Sequence, residues 1–111
     1  MAREIDADGL EAAADVQLVD VRTQEEREAG RIADDTAHIP FDELPARAAE
    51  LDKDRPVVFY CRSGDRSAVA ADAFAASGYD ASSLAGGVVA WEASGRPIEG
   101  QIGQPSGLPP K

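Results

Sequence analysis

The sequence predicts an α/β fold, a largely parallel sheet with helices on both faces, and three observations carry that expectation. Short apolar runs rich in β-branched residues, Val16–Val21 and Val57–Tyr60, alternate with stretches of helical period. The run Val57-Val58-Phe59-Tyr60 is unbroken, as a strand buried on both faces requires. Gly64, Gly78 and the pair Gly86-Gly87 stand at the junctions. Strands alternating with helices build parallel sheets, because each crossover lays a helix on one face. Ligands of such sheets bind beyond the carboxyl ends of the strands, where Asp20, Pro40, Cys61 and Ala85 are expected to fall.

Arg3-Glu4-Ile5 reads as a short edge strand, and Asp6 as the cap of a short helix carrying Leu10 and Ala13. Asp6-Ala7-Asp8-Gly9 has the opening of a calcium loop but lacks its third acidic position and distal Glu, so capping is its role. Val16–Val21 is the second strand. Thr23-Gln24-Glu25-Glu26 is then a capping box opening a brief helix that ends near Gly30. Phe41, Leu44, Ala48 and Leu51 recur at helical spacing, with Asp42 as the cap and Pro45 confined to the first turn.

Pro56 suits the mouth of the central strand, where proline removes no ladder bond. From Arg66 the period becomes helical, Val69 with Ala73 and Ala70 with Phe74 forming a stripe that Gly78 closes. Ala81–Ala85 is the last strand, with Leu84 inward, and Trp91 joins the core three residues beyond Val88. Residues 1–99 are thus expected to form the domain. From Gly100 the chain reads GQIGQPSGLPPK, and a mobile tail is expected over 100–111.

A chain of 111 residues supports one modest core. With 21 acidic residues against 11 basic and a formal charge of −10, it lacks the basic face that nucleic acid demands. No apolar run approaches the roughly 18 residues of a membrane span, and Met1-Ala2-Arg3-Glu4 lacks a secretory signal's apolar region, so no membrane role and a cytoplasmic location are expected. Cys61 is the only cysteine. It excludes an internal disulfide, leaves no Cys/His cluster for metal, and means that any modified state must be discharged by another molecule. No cofactor is expected.

Between the central strand and its helix lies the loop Cys61-Arg62-Ser63-Gly64-Asp65. Backbone N–H groups at such a turn point inward, and the helix dipole adds roughly half a positive charge. A thiolate, persulfide or oxyanion held there is stabilised. The Cys61 thiol is expected below the free value of about 8.5, in the range of roughly 3.5–7.5 known for such positions. Gly64 lets the backbone curl, and Arg62 and Arg66 add two cations in a negative molecule. The competing reading is a buried structural cysteine.

Cys61, Arg62, Ser63, Gly64, Asp65, Arg66 and Ser67 spell C-x-x-G-x-R-S. This run resembles the active-site loop of the rhodanese-like sulfurtransferases. Asp20-Val21-Arg22, Ala37-His38-Ile39-Pro40 and the G-G-x-x-x-W run from Gly86 to Trp91 match further family motifs, and the resemblance spans about residues 3–99. It implies five mostly parallel strands. It also implies transfer of sulfane sulfur from a small donor such as thiosulfate, through a Cys61 persulfide, to cyanide, a cellular thiol or a sulfur-carrier protein.

In that reading Cys61 is the nucleophile, and Arg62, Ser63, Gly64, Asp65, Arg66 and Ser67 bind the substrate. The loop N–H groups hold the terminal sulfur, Arg62 and Arg66 attract an anionic donor, and Asp65 is the dissonant charge. Arg22 is expected to pair with nearby glutamates. His38 is expected to make a polar strand-end contact, since a thiolate stabilised by backbone dipoles needs no base. Cysteine phosphatases use a related C-x5-R cradle; the C-x4-R spacing here suits a sulfur or selenium atom on the thiolate and not a phosphate group. The alternative from another class is a non-catalytic module of the same fold, with Cys61 as a redox or regulatory switch.

Overall fold

The computed structural model describes residues 3–102. Its strands are β1 (Arg3–Ile5), β2 (Gln17–Asp20), β3 (Gly30–Ile32), β4 (Ala37–His38), β5 (Val57–Tyr60), β6 (Ala81–Leu84) and β7 (Ile98–Gly100). Its helices are α1 (Ala7–Ala12), α2 (Gln24–Ala29), α3 (Leu44–Arg47), α4 (Asp65–Ala76) and α5 (Gly87–Ala93). Five strands form one parallel sheet in the order β1-β6-β5-β2-β4, so β5 is central, as its unbroken apolar run requires.

Strand parity divides the core. Val57, Phe59 and Cys61 pack with Val19, Val21, Ala70, Ala71 and Phe74 on one face. Val58 and Tyr60 pack with Leu10, Leu18, Val88 and Trp91 on the other. Side chains of a strand alternate between faces, so the residue that follows Tyr60 must face α4. This parity aims Cys61 at the start of that helix.

The capping expectations hold at two helices. The Asp6 side chain accepts from the Gly9 amide at 2.7 Å, and Thr23 and Glu26 form the reciprocal box at the head of α2. Asp42 does not cap. The segment opens at Pro40 in a 3-10 turn, Phe41–Glu43, and a second such turn, Ala48–Glu50, follows the single turn of α3. Pro45, at the start of α3, lacks the N–H that a continuous helix would use there.

The α4 stripe is also displaced. Its buried line is Ser67, Ala70, Ala71 and Phe74, while Val69 is 58% exposed. Beyond the main sheet, β3 and β7 form an antiparallel ribbon that the sequence did not announce, pairing Arg31 with Glu99. Gly30 makes this possible, since a Cβ there would lie 2.8 Å from the Gln101 amide nitrogen. The fold therefore runs past Glu99: Gly100 completes β7, and Ile102 is buried beside Trp91. Residues 103–111 of the expected tail lie outside the described residues. Among the described residues, no helix is long and apolar enough to cross a membrane.

Candidate active site

The loop after β5 closes around one sulfur atom. Gly64 precedes α4 with φ +114°, a left-handed conformation that turns the first helical amides back toward Cys61. The amide of Gly64 donates to the Cys61 sulfur at 3.1 Å and that of Ser67 at 3.5 Å. The Ser67 hydroxyl also stands 3.5 Å from it. No side chain caps α4, so the sulfur serves as acceptor for its orphan N–H groups. Burial works to raise the thiol's pKa. The Ser67 hydroxyl and the amides of Ser67, Gly64 and Arg66 outweigh it, and the thiol lies below its ordinary value. Cys61 is nonetheless 1% exposed, so its sulfur lies at the bottom of the loop.

A second helix supports the loop from behind. The amides of Val88 and Val89, in the first turn of α5, donate to the carbonyls of Cys61 and Arg62 at 2.9 and 3.1 Å. That approach requires Gly87, where a Cβ would sit 2.5 Å from the Cys61 carbonyl oxygen and also against that of Arg62.

The sequence-selected residues divide on inspection. Cys61, Gly64 and Ser67 converge on the sulfur. Ser63 and Asp65 are exposed, and neither side chain is among the donors to it. Arg62 is half-buried and donates to the carbonyl of Ile102 at 3.2 Å. Arg66 is clamped by Glu26 through two bonds of 2.8 and 3.0 Å, close enough to Cys61 for their charges to interact. Its charge is therefore largely answered within the protein. Beside it, Val21, Thr23, Pro40, Phe41, Asp42 and Arg66 line a cleft of about 180 Å³. Phe41 and Asp42 also bound an apolar groove of about 550 Å³ running along Val69 and Ala73 of α4.

Arg22 pairs with Asp20, not with glutamates, through bonds of 2.9 and 3.0 Å, and it donates to the Gly30 carbonyl at 2.6 Å. Both side chains are buried, so the pair is structural. Arg27 extends it to Asp35, whose carboxylate accepts from the Tyr60 hydroxyl at 2.8 Å. Burial and the two aspartates hold that phenol far above its usual range, so it stays a donor. His38 Nε2 lies 2.8 Å from the Arg22 carbonyl, which only accepts, so this nitrogen carries the proton.

Sequence reasoning missed Glu26 and Ser83. Glu26 read only as a capping residue, and nothing local signals a partner 40 positions away. Its carboxyl is held down to about 2 from the usual 4.5, chiefly by the Arg66 bond, against burial and with help from the Thr23 amide. A depressed folded value contributes stability above the unfolded value and loses it as pH falls through the folded one. Glu26→Gln should therefore be less stable than wild type at neutral pH, with the gap closing between pH 4.5 and about 2. Urea midpoints of both proteins across that range test this; a constant gap would assign the loss to packing.

The family model of the rhodanese-like domain matches residues 6–94, and the chain belongs to that family. A sulfurtransferase of Allochromatium vinosum is 42% identical over 103 residues, an overlap of 88% of this chain and 95% of the relative. A rhodanese-related protein of Thermoplasma volcanium superposes with a TM-score of 0.80 at 31% identity, covering 86% of this chain and 96% of its own. A rhodanese-like domain protein of Staphylococcus aureus gives 0.73 at 34%, covering 80% and 90%.

Proposed function

We propose that this protein is a sulfurtransferase in which Cys61 carries the travelling sulfur. The convergence of the Gly64 and Ser67 amides on the Cys61 sulfur, at 3.1 and 3.5 Å, is the observation that carries this reading. The sulfurtransferase name of the Allochromatium relative agrees with it.

The thiolate attacks the outer sulfur of a donor such as thiosulfate. A new S–S bond forms at Cys61, the donor's own S–S bond breaks, and sulfite departs with the electron pair. The persulfide's terminal sulfur then bears the charge, and the amides that held the thiolate are positioned to hold it, as an oxyanion hole holds oxygen. A second nucleophile (cyanide, a cellular thiol or a sulfur-carrier protein) attacks that terminal sulfur and releases Cys61 as thiolate. No metal or general base enters either step. Arg62, which meets a carbonyl and not a carboxylate, supplies the cation that attracts an anionic donor, since Arg66 already answers Glu26. Asp65, exposed on the first turn of α4, meets the positive end of the helix instead of entering the sulfur site.

Intact mass analysis of protein treated with thiosulfate in the absence of reductant tests the first step. The expected result is a gain of one sulfur atom, confined to the Cys61 peptide and removed by cyanide. A thiol that stays unmodified with thiosulfate and with organic persulfide donors would turn the reading to a non-catalytic binding module.

A further inference from the structure

Ser83 is a polar residue where the architecture calls for an apolar one. It lies on β6 in register with Phe59 of β5, and like Ala81 it faces α4. It is fully buried. Its hydroxyl oxygen is 2.7 Å from that of Ser67, which itself lies 3.2 Å from the Gly64 carbonyl and 3.5 Å from the Cys61 sulfur.

Two hydroxyls bring two protons to this cluster, and their placement follows from the acceptors available. If Ser67 donated to Ser83, the Ser83 proton would be left buried with no acceptor among its observed contacts, a costly arrangement. If Ser83 donates to Ser67, both protons are used: Ser67 turns its own toward the Gly64 carbonyl or toward the sulfur. A charged acceptor wins that choice. We propose that Ser83 is a positioning residue for the sulfur site, fixing the Ser67 hydroxyl as a donor to the sulfur anion of Cys61.

The assignment deepens the sulfur-transfer reading and rests on it for its consequence in turnover. Its test does not need turnover. The charged groups around the sulfur, Arg66 of α4 with Glu26 of α2 and Asp20 of β2 with Arg22, are left unsubstituted in every variant. A change in the thiolate midpoint therefore reports the hydroxyls.

The thiolate of the single cysteine is titrated by its ultraviolet absorbance, with Cys61→Ser as blank. Ser67→Ala should raise the midpoint by about one pH unit, the scale of one hydrogen bond to a charged group. Ser83→Ala should raise it by a fraction of that, since Ser83 acts by polarising and orienting Ser67. In the Ser67→Ala background, Ser83→Ala should add nothing. Ser83→Thr should keep the wild-type midpoint while Ser83→Val, of the same shape, should not. An unmoved midpoint in Ser83→Ala, an equal shift in both backgrounds, or equal midpoints for Thr and Val would each overturn the assignment. Failure of sulfur loading with these midpoints behaving as expected would instead sink the transfer reading alone.

Discussion

Cys61→Ser is expected to abolish thiocyanate formation from thiosulfate and cyanide while leaving the protein folded. Serine nearly reproduces the side chain's shape, so the Gly64 and Ser67 amides keep an acceptor and α4 keeps its start. The stability change should stay within about 1 kcal/mol. The chemistry does not survive. An alcohol is not ionised by a few amide dipoles at neutral pH, and no persulfide can form on oxygen. No second cysteine exists to take over. Turnover in the variant at a measurable fraction of wild type would place the reacting group elsewhere and remove Cys61 from the mechanism.

Gly87→Ala is expected to be severely damaging to the fold. Gly87 has φ +61°, and a left-handed alanine costs roughly 1–2 kcal/mol before any contact is counted. The added Cβ would also press on the carbonyls of Cys61 and Arg62, backbone atoms held by α5 itself and unable to step aside cheaply. A loss of about 3 kcal/mol or more is expected, with sulfur loading impaired in whatever fraction still folds. Gly95→Ala supplies the control. Its φ is +82°, but nothing lies within 4 Å of a Cβ there, so only the conformational part should appear. Equal denaturation midpoints for the two variants would mean that the loop moves aside freely.

Much of this molecule was readable before its coordinates, for local reasons. The apolar run of β5 placed it at the centre of the sheet, and Gly64 between β5 and α4 announced the tight turn that brings amides onto the Cys61 sulfur. Thr23 and Glu26 announced a helix start because both halves of the box lie within four residues. What escaped depends on distant partners. β3 and β7 are three residues each, too short for a period, and their pairing joins Arg31 to Glu99 across the chain. The clamp of Arg66 by Glu26 and the contact of Ser83 with Ser67 likewise arise only once the sheet is assembled. In α4, alanines stand on several sides, so composition alone could not tell the buried line through Ala70 and Ala71 from the exposed one through Val69.

The bonds from Val88 and Val89 to the cysteine loop make two pieces of the chain open and close as one. Solvent deuterium can reach those two amides only when the loop carbonyls let go, so their exchange rates gauge the integrity of the sulfur cradle from outside it. Loading Cys61 should slow them, although both amides bond to loop carbonyls and not to the Cys61 sulfur.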